Sequence, residues 1–191
     1  MRQSLSPVIH PDAAPRDNRA ADSPLEARPG PSRSFVTLAI AADELPIVVV
    51  GGGVVGGRKA LSLARQGGRV RIISPEIADR LRPLVDRGRI EWIRDCYRPE
   101  HLDGARIVVA ATSDPAVNAA VARDARRRGL LLCNSSSAED SGVFFPAMHT
   151  RGPATIAVHT RGRSPRYAKR LLDHIVALLA ERPLETAEDS S

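Results

Sequence analysis

The stretch Pro46-Ile47-Val48-Val49-Val50-Gly51-Gly52-Gly53-Val54-Val55-Gly56-Gly57-Arg58-Lys59 decides the fold. Four consecutive β-branched residues, Ile47 to Val50, read as a strand buried on both faces. The run ends at three glycines, and a helix-compatible segment, Lys59 to Gln66, follows. Gly51, Gly53 and Gly56 stand in G-x-G-x-x-G register. In that register the first glycine permits a tight turn, the second lets the backbone approach a pyrophosphate, and the third lets the helix pack close on the strand. The start of the helix then offers N–H groups and a partial positive charge to phosphates. Glycines also gather in ordinary turns, so context carries the reading. A second β-branched run, Arg69-Val70-Arg71-Ile72-Ile73-Ser74, completes the strand, helix, strand unit that dinucleotide binding requires.

Downstream the alternation continues. Arg89 to Ile93 reads as a third strand, Arg106 to Ala111 as a fourth, Ala116 to Arg128 as a helix, and Leu130 to Cys133 as a fifth strand. Strand and helix in turn argue for a doubly wound parallel α/β sheet. Phe35 to Ile40 reads as an edge strand or a lead-in segment docking on the domain, and Ile77 to Val85 as a short helix interrupted early by Pro83. After Asn134 the pattern changes to a polar loop and two further strands, Phe144 to Met148 and Ala154 to Val158, followed by a helix from Arg166 to Ala180. A hairpin and one helix do not bury their apolar side alone, so this unit is expected to pair with a second copy as a homodimer. The expected organisation is a disordered extension over 1–34, a nucleotide-binding domain over 35–142, a dimerisation unit over 143–181 and a frayed acidic tail over 182–191.

Composition narrows the function classes. With aromatics at 3%, the core must be built from Val, Ile, Leu and Ala. The net charge of +6 comes from scattered Lys and Arg with few aromatic residues between them, which points to an anionic small molecule and away from nucleic acid. Cys96 and Cys133 share no metal-ligand or redox-motif spacing, so no metal site and a reduced, cytoplasmic setting are expected. No apolar run approaches the ~18 residues of a membrane span, and no apolar leader opens the chain.

In an open α/β sheet the ligand lies beyond the carboxyl ends of the strands. Those ends carry Gly51 to Val55, Ser74 to Glu76, Thr112 to Asp114 and Asn134 to Ser137, which should line one crevice. Glu76 is placed to reach a ribose, which favours NAD, with Arg80 on the following segment pulling the other way. Asp114 is a helix N-cap ahead of Pro115 or a catalytic group, and Asn134 fixes its loop or touches substrate. Ser137, Glu139 and Asp140 follow in the same loop. His149 and His159 stand on neighbouring strands as core polar residues or as ligands. Arg161, Arg163 and Ser164 at a helix start make either an anion pocket or an ordinary capped helix.

With these pieces placed, the chain resembles the precorrin-2 dehydrogenase/sirohydrochlorin ferrochelatase family, which includes the N-terminal modules of sirohaem synthase. The resemblance is carried by "LPIVVVGGGVVGGRKALSLARQGGRVRIISPE", "LDGARIVVAATSDPAVNAAVARDARRRGLLLCN" and "FFPAMHTRGPATIAVHTRGRSPRYAKRLL", in that order, over about Leu45 to Leu172. It implies a Rossmann domain with NAD, a small dimerisation unit, and an anionic tetrapyrrole bound between subunits. It further implies cofactor contacts from Val54, Val55, Pro75 and Glu76, and it matches Ser164 to the serine of the family's Ser-Pro helix start.

Three departures stand out. Where the family carries an aspartate tied to dehydrogenation and metal insertion, this loop has Ser137 and is one residue shorter. A serine hydroxyl is no general base at neutral pH without help, which argues against metal insertion. Arg161 and Arg163 alter the family's glycine pair, and the sequence reaches Ser191 without the further helical segment that caps the tetrapyrrole in many relatives, so a wider, wetter site is expected. The leading expectation is NAD-dependent dehydrogenation of precorrin-2, assisted by Ser137, Asp140 or Asn134, with Gly51, Gly53 and Thr112 on the cofactor and Arg161, Arg163 and Ser164 on substrate carboxylates. The alternatives are a relative moved to another substrate and a non-catalytic NAD-binding protein.

Overall fold

The computed structural model describes residues 34–160 and 164–181. Its centre is β1 (Pro46–Gly52), flanked by β2 (Arg69–Ile77) and β4 (Ile107–Ala110), with β3 (Ile90–Ile93) and β5 (Leu131–Asn134) outside them. The order is β3-β2-β1-β4-β5 and every pairing is parallel, as the strand and helix alternation requires. Strand order reverses between β2 and β4 around β1, which sets the ligand crevice beyond the carboxyl end of β1.

Side-chain alternation explains why these strands read as unbroken apolar runs. Ile47, Val49, Ile107 and Val109 point to one face, where they meet Ala60 and Ala64 of α1 (Val54–Arg65). Val48, Val50 and Val108 point to the other, against Val121, Ala122 and Ala125 of α3 (Pro115–Arg127). Both faces are covered, so neither tolerates a polar alternation.

The glycines place α1 differently from their reading as a turn. The helix begins at Val54, so Gly56 and Gly57 lie inside its first turn and are buried. A Cβ on Gly56 would stand 1.9 Å from the Gly51 carbonyl oxygen, so the helix sits on β1 at a distance only hydrogen allows. Gly51 has φ +108°, and its Cβ would meet the Ala111 carbonyl oxygen at 2.4 Å. At Gly52 the absent side chain admits the Glu76 carbonyl oxygen at 2.5 Å. That approach lets β2 run on to Ile77 through a register shift opposite Val50 and Gly52, so Ser74 to Glu76 belong to the strand and not to a loop after it.

Other boundaries moved for equally local reasons. Pro83 sits in the first turn of α2 (Arg82–Asp86), where its missing N–H costs nothing, so it starts that helix instead of interrupting it. The hairpin begins at β6 (Ala147–Arg151), three residues later than the apolar run suggests, because Phe145 turns inward onto the sheet core and Pro146 has no N–H to give a ladder. β6 pairs antiparallel with β7 (Ala154–Val158), and α4 (Pro165–Glu181) packs on both. The expected strand over Phe35 to Ile40 does not form: the segment is irregular and pairs with no strand, leaving Leu38 and Ile40 exposed. Apolar alternation supplies a face, but a ladder also needs a backbone partner. Among the described residues no helix is long and apolar enough to cross a membrane.

Gly56→Ala should be severe, because the added methyl meets backbone that has no room to move. A loss of about 3 kcal/mol or more, seen as a melting midpoint lowered by about 6–12 °C or as insoluble protein, is expected by thermal denaturation.

Candidate functional site

A crevice of about 500 Å³ opens beyond the carboxyl ends of the parallel strands. Its floor is the glycine turn, Gly51 to Gly53, and the first turn of α1, where Val54 and Val55 are exposed to it. The start of α1 has Gly53 as its N-cap with no capping side chain, and no acidic residue in the first turn. Helix dipole and backbone N–H groups therefore face the crevice without a protein anion to neutralise them. Gly53 differs from its neighbours: a Cβ built there meets nothing within 4 Å. The tight glycines, Gly51, Gly52 and Gly56, serve the fold, whereas Gly53 faces open space, and that is the division of labour a phosphate cradle needs. The residues present therefore fit a dinucleotide diphosphate.

On the β4 and β5 side the crevice wall is polar, formed by Thr112, Ser113, Ser135 and Ser136. It is held by Asn118, a side chain that is 2% exposed and projects from α3 toward the strand ends. Its Oδ1 accepts from the Thr112 N–H at 3.0 Å and the Thr112 hydroxyl at 2.9 Å, while its Nδ2 donates to the Thr112 carbonyl at 3.1 Å and the Ser136 hydroxyl at 3.2 Å. Ser136 in turn donates to Asn134 Oδ1 at 2.7 Å, and Asn134 Nδ2 reaches Asp140 at 3.5 Å. One amide thus ties two strand-end loops together with every polar atom used. The sequence carries a trace of it, a lone Asn on the apolar stripe that includes Val121, Ala122 and Ala125.

The predicted residues divide cleanly by place. Gly51, Gly53, Val54, Val55, Pro75 and Thr112 all line the crevice. Glu76 is exposed and stands one residue outside the lining, after Pro75. Asn134, Ser137 and Asp140 are not in the lining either; their neighbours Ser135 and Ser136 are. Asn134 is buried and its Oδ1 also accepts from the Ser136 N–H at 3.0 Å, so it shapes the loop. The Ser137 hydroxyl accepts from the Asp140 N–H at 3.2 Å. Asp140 is ion-paired with Arg126, whose guanidinium holds the carboxyl below the usual carboxylate range despite some burial. Asp114 caps α3, its Oδ1 accepting from Ala116 N at 2.7 Å, as the Asp-Pro order suggested.

Ser164 lies in the other part of the chain, where its hydroxyl accepts from Tyr167 N at 3.2 Å and its N–H donates to Thr160 at 2.9 Å. Arg161 and Arg163 lie outside the described residues. His149 stands opposite Ile156 in the hairpin, and His159, past the end of β7, shares a 3.1 Å hydrogen bond with Thr37, so the two histidines do not meet across the ladder.

The loop after β3 also lines the crevice, through Asp95, Cys96 and Tyr97, and was not among the strand ends assigned to it from the sequence. Tyr97 donates to Asp124 at 2.8 Å, and burial together with that carboxylate pushes its phenol far above the usual value. It stays protonated and acts as a wall, not a base. Cys133 is also no nucleophile: burial raises its thiol even with the Lys59 ammonium 3.6 Å away.

Residues 38–147 match the family described as "Putative NAD(P)-binding". The chain is 39% identical over 132 residues to siroheme synthase of Chromobacterium violaceum, covering 69% of this chain and 28% of that protein. It is 37% identical over 134 residues to siroheme synthase 1 of Yersinia enterocolitica, covering 70% and 28%. Among solved structures it is similar to SirC, a precorrin-2 dehydrogenase, with a TM-score of 0.65, 25% identity, and coverage of 75% of this chain and 71% of that one. The resemblance drawn from the sequence motifs and the Rossmann-like fold class are both borne out.

Replacing Asn118 with Ala removes the partner of the part-buried Thr112 N–H and carbonyl. The expected cost is about 2–3 kcal/mol in chemical denaturation, with faster amide exchange at Thr112 and Ser136 than in the parent.

Proposed function

The chain belongs to the NAD(P)-binding family, and on that premise we propose that it is an NAD-dependent dehydrogenase that converts precorrin-2 to sirohydrochlorin. The matched siroheme synthases are much longer, this chain spanning 28% of each, so the activity is carried here by the site itself. The observation that carries it is the contrast between Gly53, which opens onto the crevice, and Gly51 and Gly56, which are packed against backbone. The backbone N–H groups of the α1 start bind the diphosphate, and Thr112 with the serines beside it edges the half of the crevice toward β5. When bound, the nicotinamide supplies the hydride acceptor. The chain's own part is to hold donor and acceptor together and to exclude water, which is where most of the rate arises in such a reaction.

NAD is preferred over NADP in this reading. Arg80 and Arg94, the two guanidiniums near the end of β2, donate to the Val54 and Pro75 carbonyls. Against their charge stands Glu76, an exposed carboxylate one residue past the lining, which accepts from the ribose hydroxyls and repels a 2′-phosphate. Asn134, Ser137 and Asp140 act as positioning residues for the loop that carries Ser135 and Ser136, in place of the catalytic part expected from sequence. Metal insertion is not part of the proposed activity. Ser137 supplies no carboxylate, and Asp140 is committed to Arg126.

The test is sirohydrochlorin absorbance on incubating the protein with precorrin-2 and NAD, in parallel with Gly53→Ala. The parent should turn over; the variant, whose φ of −72° suits any residue, should melt within about 3 °C of it. Its affinity for NAD should nevertheless fall about tenfold or more, because the new methyl fills space kept for a ligand. NAD binding with no turnover would leave the alternatives of another substrate or a non-catalytic binder.

The hairpin and α4 form the proposed dimerisation unit. Among its described residues only Ala168 and Leu172 of α4 are buried, while Met148, Tyr167, Leu171 and Leu178 are exposed. A second copy meeting that face would bury them and complete the tetrapyrrole site between subunits. Light scattering at micromolar concentration should give twice the chain mass; a single-chain mass refutes the pairing.

A further inference from the structure

Asp95 is the one carboxylate among the described residues that line the crevice. It follows β3, beyond the reach of the glycine motif, and its side chain is 29% exposed. Two neighbours hold it from the protein side. The Arg98 guanidinium meets Oδ2 at 2.6 Å, and His101 Nε2 faces the same oxygen at 3.5 Å. His101 is itself buried and accepts the Arg98 N–H on Nδ1 at 3.1 Å, so its other nitrogen carries the hydrogen that points toward Asp95. The loop closes on itself through a 2.9 Å bond from Asp95 N to the Ile93 carbonyl. Both of these side-chain contacts fall on Oδ2; among the described residues none falls on Oδ1.

A braced, ionised carboxylate with one oxygen left over is an acceptor that requires an N–H or O–H donor. Topology says which. With the diphosphate on the glycine turn, the ribose that distinguishes NAD from NADP lies at the end of β2. β3 is the next strand outward in the order β3-β2-β1-β4-β5, so its end meets what lies beyond that ribose, the base. Ile73 and Pro75 give the apolar flank that a flat ring needs.

We propose that Asp95 is the base-reading residue of this site, its free Oδ1 accepting a hydrogen bond from the exocyclic amine of adenine, with Arg98 and His101 as positioning residues. This rests on the dinucleotide reading above and assigns the residue that selects the adenine base. A site built to accept from an amine rejects an analogue lacking it, because a carbonyl then faces the carboxylate.

The experiment measures dissociation constants by calorimetry for NAD and for its hypoxanthine analogue, in which that amine is replaced by a carbonyl. The parent should bind NAD about tenfold or more tightly than the analogue. In Asp95→Ala the two constants should come within about twofold of each other, with analogue binding no weaker than in the parent, which also reports that the loop is intact. Asp95→Asn, whose amide can donate to the carbonyl, should move the ratio in the same direction. Equal affinities in the parent, or a parent-like ratio in both variants, would overturn the assignment while leaving dinucleotide binding in place. Failure of the parent to bind either compound would instead remove the dinucleotide reading and the assignment with it.

Discussion

Everything in this domain depends on two pieces of backbone approaching each other with no side chain between them. The Gly51 carbonyl lies where a Cβ of Gly56 would be, and the Ala111 carbonyl lies where a Cβ of Gly51 would be. These contacts bring β1, the start of α1 and the end of β4 to one point. Because the strand ends converge there, the crevice, the helix N-terminus and the polar wall face one another. A methyl group at either glycine pushes the helix away and takes the phosphate cradle with it. Fold and site therefore share one steric requirement, which is why they are read from the same few residues.

A second constraint works at right angles to the first. The glycine contacts fix how far apart the elements stand, but they say nothing about the conformation of the loops that follow β4 and β5. That is settled by Asn118 and the hydrogen bonds running through Ser136 to Asn134 and Asp140. A network with its donors and acceptors paired stiffens its loops, and a gap in it is costly. Through it Asn134 and Asp140 help set where Ser135 and Ser136 stand beside the crevice. The opposite wall uses the same device, with Arg98 and His101 bracing Asp95. A crevice whose two walls are each held by side-chain contacts is pre-organised for a ligand, and less ordering entropy is lost on binding.

The hairpin and α4 follow a different logic. Among the described residues they bury few apolar side chains, and Tyr167, Leu171 and Leu178 are exposed, the face on which the proposed pairing rests. A substrate site shared between subunits would then join the rigid crevice to an assembly whose surface chemistry is set by α4.

Periodicity and glycine placement were enough to read the parallel sheet, its strands and the cofactor end, because both are local. A β-branched run buried on two faces and a G-x-G-x-x-G turn leave their marks within about thirty residues. Asp114 as a cap was equally legible from its neighbour Pro115. Other features needed the fold. The extension of β2 to Ile77 follows from the approach of Glu76 to Gly52, a contact between segments far apart in sequence. The failure of Phe35 to Ile40 to become a strand reflects the lack of a backbone partner. Asn118 and Asp95 acquire meaning only when distant loops come together, and no spacing rule connects them to the glycine turn. The sequence by itself determined the buried strands of the parallel sheet and the glycine turn at its carboxyl end, since steric and hydrophobic demands act along the chain. Only the tertiary structure decided which polar side chains face the ligand and which brace the walls, since hydrogen bonds between loops are made in space.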